Sequence, residues 1–281
     1  MTIKFQQLSH ESLGGLCVMV YGDTGVGKTM FAASAYRHPD LAKVGILDTD
    51  GGLTSISHWA DPNLLFAPVE DTASIAEIAL GAISNAAPYA EFKTWVVDSI
   101  SKWVTEDMRE ISEREYNRNP GKRGTVDAVQ LQDYKEMTAR ISRLADGLKA
   151  SKRNLIFTAA LADVGATADN PNAFTERRPH MPNAIWKSIA HKMDAIWWVY
   201  QRPNGGIYAL TRPVVLPNGG IIRAKTRNTK FETALFDISE KGDDGKPSGI
   251  IQIGQQGDPD GDYLDFAKVY QIYLDSVTTS N

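Results

Sequence analysis

The chain has 281 residues, a net charge of −4 and 42% hydrophobic residues, which is ordinary for a soluble globular protein. The acidic balance argues against a globally basic nucleic-acid coat protein, although one face of the molecule could still be basic. No apolar run approaches the ~20 residues of a membrane span, and the N-terminus lacks the apolar core of a signal peptide. Because Cys17 is the only cysteine, no intrachain disulfide can form. We therefore expect a cytoplasmic protein with no membrane partner.

The first elements in the chain lead into a glycine-rich motif. We interpret residues 1–13 as an N-terminal lead-in, with a short edge strand at residues 3–5. The apolar run Leu16–Tyr21 predicts a buried strand, and Lys28–Tyr36 is compatible with a helix. Between them, Gly22–Thr29 reads G-x-x-x-x-G-K-T, which is typical of a phosphate-binding P-loop. Its glycines let the backbone curl so that several N–H groups point inward, which favours a polyphosphate ligand.

The P-loop predicts ATP and Mg²⁺ as ligands. Lys28 can reach the β- and γ-phosphates of a nucleotide, and the Thr29 hydroxyl can ligate Mg²⁺. The residues expected to bind the nucleotide are Gly22, Asp23, Thr24, Gly25, Val26, Gly27, Lys28, Thr29 and Met30.

After two further predicted strands, the sequence contains a carboxylate at the end of a third. Val44–Asp50 and Leu64–Ala67 predict strands, and Asp71 or Thr72 can cap a helix that ends at Ser84. Thr94–Asp98 then predicts a strand that ends in a carboxylate, the Walker B pattern. In an open α/β sheet that end faces the ligand crevice, so Asp98 can hold the same Mg²⁺ as the P-loop threonine. Many strands end in aspartate, and the pattern gains weight only beside a P-loop.

The middle of the chain alternates regular and irregular stretches. Residues 104–130 are charged and predict a helix extension followed by a mobile loop. Apolar residues at three- and four-residue spacing predict a core helix over Gln130–Ala150, and Asn154–Ala160 predicts a buried strand. Residues 163–182 hold almost no large apolar residues and predict a second long loop, which precedes a helix over residues 185–192.

Strand patterns continue towards the C-terminus. Asp194–Tyr200 predicts a strand, while Ile207–Thr211 and Ile221–Thr226 predict antiparallel strands bounded by Asn-Gly-Gly turns. A helix is expected over Leu264–Val277. The predicted organisation is a lead-in over 1–13, an ATPase core over 14–234 and a C-terminal extension over 235–281.

Together these motifs resemble the RecA/RadA-type ATPase core, and most closely the phage Sak-type RecA-like ATPases of single-strand annealing. The resemblance spans roughly residues 14–230 and is carried by the P-loop, Ile46–Asp50, Trp95–Ile100 and the late Ala224–Arg227. It implies an α/β fold, a RecA-like P-loop NTPase core with a mostly parallel central sheet flanked by helices and antiparallel C-terminal strands.

The resemblance also implies catalytic roles. Asp50 fills the place of the acidic residue that polarises the attacking water, with Asp48 as the competing residue. A γ-phosphate sensor falls near Thr158. Lys225 and Arg227 match the basic element that enters the ATP site of a neighbouring subunit, where a cation stabilises the charge of the transferring phosphoryl group. The alternative for this pair is a set of solvated edge-strand charges.

Two stretches match the positions at which RecA-like proteins pass DNA, one near 108–126 and one near 163–186. Both contain cations for phosphates and aromatic rings for bases. The residues that stand out are Arg114, Tyr116, Arg118, Lys122 and Arg123 in the first stretch, and Phe174, Arg177, Arg178, His180, Trp186 and Lys187 in the second.

The main functional hypothesis is an ATP-dependent recombination ATPase that binds single-stranded DNA and promotes annealing as a head-to-tail ring or filament. A single-strand-binding protein is a further possible partner. The alternatives are a nucleotide-dependent recruitment module with little hydrolysis, or another P-loop protein such as a helicase or a small-molecule kinase.

Overall fold

The computed structural model describes residues 14–167, 170, 174–258 and 261–278. The predicted lead-in and its edge strand therefore lie outside the described residues. The strands are β1 Cys17–Gly22, β2 Val44–Asp48, β3 Leu64–Pro68, β4 Thr94–Asp98, β5 Asn154–Val164, β6 Glu176–Pro179, β7 Ala195–Gln201, β8 Gly206–Leu210, β9 Val214–Val215, β10 Ile221–Ile222, β11 Lys225–Thr226 and β12 Ile250–Gln255. The helices are α1 Lys28–Ala33, α2 Thr72–Ser84, α3 Ile100–Arg118, α4 Pro120–Arg123, α5 Leu131–Ala150, α6 Asn183–Ala190, α7 Thr229–Asp237 and α8 Phe266–Thr278.

One sheet organises the fold, in the order β12-β8-β7-β1-β5-β4-β2-β3. Strand β1 lies between β5 and β7 and is parallel to both, and β4, β2 and β3 continue the parallel part. Strand β8 pairs antiparallel with β7, and β12 pairs antiparallel with β8. The predicted fold class, a mostly parallel sheet flanked by helices with antiparallel C-terminal strands, is confirmed.

The sheet separates two hydrophobic cores because successive side chains of a strand point to opposite faces. In β1, Met19 and Tyr21 face a core that includes residues of helices α2, α3, α5 and α6, while Val18 and Val20 face a core that includes residues of α1, α7 and α8. All four side chains are fully buried. The P-loop that follows β1 is therefore attached to the most buried strand of the molecule.

Helix α2 begins where the sequence predicts it, because Asp71 lies at the N-cap and accepts a hydrogen bond from the Ser74 N–H at 2.8 Å. Helix α5 also matches its prediction, but its apolar stripe is core only in part. Met137 and Ile141 are buried, whereas Leu131 and Tyr134 are 73% and 44% exposed. The start of α5 therefore has an exposed side, although Asp133 in its first turn is buried.

Both stretches predicted to be long loops are more regular than expected. In the first, over residues 104–130, the predicted helix extension is confirmed, since α3 continues to Arg118, and the short α4 occupies part of the predicted loop. The second, predicted as a loop over residues 163–182 before a helix, is a loop only in part. There β5 runs on to Val164 and pairs with β6, and α6 begins at Asn183. Strand β6 was missed because its sequence, Glu-Arg-Arg-Pro, has no large apolar residue, and it forms by pairing with β5.

The predicted strand over residues 221–226 is divided into β10 and β11. Strand β10 pairs with β6 and β9, away from the main path of the sheet, while β11 pairs with β7. At the C-terminal end, β12 joins the main sheet beside β8, and α8 packs with α1 and α7. The boundary between residues 234 and 235 stays a prediction. Among the described residues, no helix has the length and apolar composition needed to cross a membrane.

Candidate nucleotide-binding site

The P-loop connects the C-terminal end of β1 to helix α1, and two glycines show why this residue type is required. Gly27 has a φ of 82°, a left-handed conformation that side chains with a Cβ rarely adopt. At Gly22 a Cβ would lie 2.1 Å from the backbone carbonyl oxygen of Val199 on β7. The loop can therefore leave the sheet only because Gly22 has no side chain.

Lys28 folds back across the loop. Its Nζ donates to the carbonyl oxygens of Gly22 at 3.0 Å and Asp23 at 2.6 Å. Burial lowers the pKa of Lys28, while the charges of Asp98, Asp23 and Asp50 oppose that shift. An ammonium held by weak carbonyl acceptors at the mouth of the loop is available to a polyphosphate, which is a stronger acceptor.

Asp98 and Thr29, which are 69 positions apart, meet directly at this edge of the sheet. The Thr29 Oγ1 donates to the Asp98 Oδ2 at 2.7 Å. Asp98 is only 5% exposed, and burial raises the pKa of its carboxyl group, against hydrogen bonds from Thr158 and Thr29 that lower it. The carboxylates of Asp48 and Asp50 raise it further. The P-loop hydroxyl and the strand-end carboxylate are thus in contact, as a shared Mg²⁺ requires.

The donor set fits Mg²⁺, which prefers oxygen ligands and usually keeps waters and phosphate oxygens in its shell. The Thr29 hydroxyl and the Asp98 carboxylate would supply the protein ligands. Within the described ranges, no group of three His, Cys, Asp or Glu side chains forms a metal cluster. The ion would therefore take its remaining ligands from the nucleotide and from water.

Thr158 has a different position from the one that the resemblance implies. It is fully buried on β5, and its hydroxyl donates to the Asp98 Oδ1. A side chain without exposure cannot contact a γ-phosphate, so the sensor role near Thr158 is wrong for this residue. Thr158 instead holds the second oxygen of the Asp98 carboxylate.

Sequence reasoning missed Thr49. Its Oγ1 donates to the Ser99 carbonyl oxygen at 2.8 Å and accepts from the Ser99 N–H at 2.9 Å, which fixes the backbone just after Asp98. No local pattern shows that a threonine between two aspartates will hydrogen-bond the backbone 50 residues later in the chain. The register that pairs Asp48 with Asp98 brings it there.

The two candidates for the water-polarising residue differ in how they are held. The Asp48 Oδ1 accepts the Gly51 N–H at 2.8 Å and the Asp50 N–H at 3.2 Å, so Asp48 supports the turn. Asp50 is exposed at the same edge as Asp98. This arrangement favours Asp50 for the role, because Asp48 already has backbone partners.

Comparison with known proteins adds a family to this geometry. The protein-family profile AAA_24, described as "AAA domain", matches residues 14–227. The chain belongs to this family. No curated protein matches the chain. One similar solved structure is a crystal structure of the RadB recombinase, with 15% identity, a TM-score of 0.43, and coverage of 75% of this chain and 91% of that chain. A likeness of that size carries no argument about fold or activity.

In this AAA domain, Lys225 and Arg227 lie far from the P-loop of their own chain. Strand β11 pairs with the first residues of β7, which are level with Val18 at the start of β1. Gly22 lies four residues further along β1, or about 13 Å at ~3.3 Å per residue. The structure therefore does not bring this pair to the P-loop within one subunit.

Both basic residues bind the C-terminal end of α6. The Lys225 Nζ donates to the Ala190 carbonyl oxygen, and the Arg227 guanidinium donates to the His191 carbonyl oxygen. Burial lowers the pKa of Lys225 to about 8, and the charge of Arg227 adds to that shift. Cations at helix C-termini commonly stabilise the last carbonyls, so these two have a structural role in the subunit.

The cations of the first predicted DNA stretch are largely paired. Arg114 forms ion pairs with Glu115 and Glu136, and Arg118 lies 3.6 Å from Glu115 while remaining exposed. Arg123 is buried against Asp133, with one N–O distance of 2.7 Å. Tyr116 is half-buried and Lys122 is exposed. The prediction that Arg123 faces DNA is wrong, because its guanidinium is inside the subunit.

The predicted DNA contacts of the second stretch also include paired, buried and exposed residues. Arg177 forms two 2.7 Å contacts with Asp163 and lies over the rings of Phe174 and Trp198, at 4.5 and 4.8 Å from their centroids. Phe174 is buried, and so are the two other residues Arg178 and Trp186. Buried side chains cannot bind single-stranded DNA, so those three predicted contacts are wrong. The two that remain exposed are His180 and Lys187.

Proposed function

We propose that this AAA domain binds ATP with Mg²⁺ and hydrolyses it. The observation that carries the proposal is the 2.7 Å hydrogen bond between the Thr29 Oγ1 and the Asp98 Oδ2 at the mouth of the P-loop. Two unrelated elements of the sequence, a loop and a strand end, place there the oxygen ligands that Mg²⁺ needs. When bound, the ion neutralises charge on the phosphates.

The residues of the chain divide the remaining work. Backbone N–H groups of residues 22–30 bind the phosphates, and Lys28 leaves its carbonyl partners to neutralise the β- and γ-phosphates. Asp50 accepts a proton from, and orients, the water that attacks the γ-phosphorus. Asp98 is held through both oxygens, by Thr29 and Thr158, so its carboxylate stays in place without rearrangement.

We propose further that subunits assemble head to tail, so that Lys225 and Arg227 of one subunit reach the ATP site of the next. Their position at the sheet edge opposite the P-loop supports a role in trans, because a role in cis would need them to span the sheet. Assembly by a contact between two different surfaces gives a ring if it closes and a filament if it does not.

Single-stranded DNA is the proposed second ligand, and annealing in recombination is the proposed process, with a single-strand-binding protein as a possible partner. The exposed residues Arg118, Lys122, His180 and Lys187 support this part. Phosphate binding by such residues is electrostatic and weakens with salt.

Steady-state ATP turnover with and without single-stranded DNA tests the proposal. We expect DNA to raise turnover and the Lys28→Ala variant to abolish it. The matched control is Lys241→Ala, which removes an exposed lysine from a distant turn. Turnover that no single-stranded DNA changes would refute the recombination role.

A nucleotide-dependent recruitment module is the second candidate. It is favoured by the short Asp50 side chain, whose reach to a catalytic water is less than that of a glutamate. ATP binding that changes the assembly state without measurable turnover, in the parent as in Asp50→Asn, would support it.

A further inference from the structure

A cavity of about 330 Å³ adjoins the P-loop and is not used by the proposed chemistry. Its lining includes Gly25, Gly27 and Met30, but none of the phosphate- and magnesium-binding side chains described above. The cavity therefore begins where a triphosphate held by the loop would continue into the rest of a nucleotide. Its volume lies within the ~300–1,000 Å³ that is usual for small-molecule sites.

One wall of the cavity comes from the C-terminal extension, which lies beyond the residues that the family profile matches. Strand β12 supplies Ile253, Gly254 and Gln255, and the segment after it supplies Gln256 and Tyr263. Strand β12 is fixed by its antiparallel pairing with β8. A part of the chain outside the family core thus lies beside the P-loop.

The extension is also attached directly to the helix that follows the P-loop. The Phe266 N–H donates to the buried Ser34 Oγ at 2.9 Å, and the Asp265 carboxylate lies 3.2 Å from the Arg37 guanidinium. The rings of Phe31 and Phe266 meet edge to face, with centroids 5.6 Å apart. These contacts hold the extension wall against α1 and the 3-10 turn Ser34–Arg37 that follows it, as a binding pocket requires.

The chemistry of the lining suits a planar heterocycle with polar edges. Apolar surface predominates, contributed by Met30 and Ile207 among others, and Trp59 and Tyr263 supply flat rings. Side-chain amides lie on the same lining, where the Gln201 Nε2 donates to the Gln256 Oε1 at 2.7 Å. An amide both donates and accepts, so it can pair with the edge of a nucleobase.

We propose that this cavity is the subsite for the base and ribose of the bound nucleotide, and that the C-terminal extension, through Gln256 and Tyr263, determines how tightly the base is held. The inference rests on the proposed nucleotide-binding function. It adds that the family-matched core supplies phosphate binding while the extension supplies base recognition.

Calorimetric titration with ATP–Mg²⁺ and with inorganic triphosphate–Mg²⁺ tests the inference. The parent protein should bind ATP more tightly than inorganic triphosphate, because only ATP reaches the cavity. Gln256→Trp, which introduces an indole at the cavity wall, should weaken ATP binding at least tenfold and leave triphosphate binding unchanged. The matched control is Lys246→Trp, at a residue of the extension whose side chain is 79% exposed and does not line the cavity. It should change neither affinity.

Tyr263→Ala provides a second variant in case the indole disturbs the fold, which loss of triphosphate binding by Gln256→Trp would reveal. It should also weaken ATP binding alone. Equal affinity of the parent for ATP and triphosphate, or ATP affinity unchanged in the cavity variants that still bind triphosphate, would overturn the inference and leave the P-loop function intact. If the parent binds neither ligand, the proposed function fails together with the inference.

Discussion

Replacing Thr158 by valine should destabilise the protein in a pH-dependent way. Valine keeps the volume of the fully buried side chain but removes the hydroxyl that donates to the Asp98 Oδ1. The carboxylate then keeps Thr29 as a side-chain donor and loses one charge-assisted hydrogen bond at a residue that is only 5% exposed. Hydrogen bonds to charged groups contribute about 1.5–3 kcal/mol, so we expect a loss of that size near neutral pH.

The pH dependence follows from the direction of the pKa shifts. Burial raises the pKa of Asp98 above its ordinary 3.8, and the Thr158 hydrogen bond opposes that shift by favouring the ionised form. Removing the hydroxyl raises the pKa further. The stability lost in Thr158→Val is therefore greatest where Asp98 is ionised in both folded proteins, and it shrinks as pH falls through the pKa of the variant and then the raised pKa of the parent.

Thr158→Ser is the matched control, since it keeps the hydroxyl and loses one buried methyl group. It should cost about 1 kcal/mol at every pH, because the lost transfer free energy of a methyl group does not titrate. Urea unfolding of both variants and the parent, over a pH series from about 7.5 to about 3.5, measures these differences. Equal, pH-independent losses in the two variants would refute the assignment of Thr158 as the partner of Asp98.

Three further predictions concern the site. Lys28→Ala should abolish ATP turnover while changing the free energy of unfolding by less than about 0.5 kcal/mol in urea, because Lys28 binds only exposed or weak carbonyl acceptors; a large stability loss would contradict this role. Asp50→Asn should lower ATP turnover at least about 100-fold, which is the lower end of the usual gain from general base catalysis. Asp48→Asn should mainly lower the melting temperature. The reverse pattern would assign the catalytic base to Asp48. Arg227→Ala should be inactive alone but regain turnover when mixed with Lys28→Ala subunits, since mixed assemblies contain intact sites, and no recovery on mixing would contradict a role in trans.

Local patterns were enough to identify the parts of the proposed phosphate site. The P-loop is recognisable because its glycines, lysine and threonine are contiguous, and Asp98 because it ends an apolar run of the length of a strand. Helix α2 could be placed from a single capping residue, Asp71, and the spacing of its apolar residues. Each of these features is encoded within about twenty neighbouring residues.

Four of the predicted DNA contacts, at Arg123, Phe174, Arg178 and Trp186, are wrong because these side chains are buried. A charge in an apolar-poor stretch has no local sign of whether it faces solvent or a partner. Arg123 of α4 is buried in an ion pair with Asp133 of α5. Arg177 of β6 contacts Asp163 because the two residues are directly opposite each other in the pairing of β6 with β5. Pairing across elements buried Arg123 and left the Arg177 side chain 19% exposed.

The sequence by itself therefore determined the components of the proposed ligand site: a glycine-rich loop, a lysine, and two side chains with oxygen atoms that suit Mg²⁺. Only the tertiary structure decided that Thr158 holds Asp98, that Lys225 lies at the opposite edge of the sheet, and that the C-terminal extension lines a cavity beside the P-loop. The reason is that strand order and register join residues 60 or more positions apart, and no local periodicity specifies which strands will be neighbours.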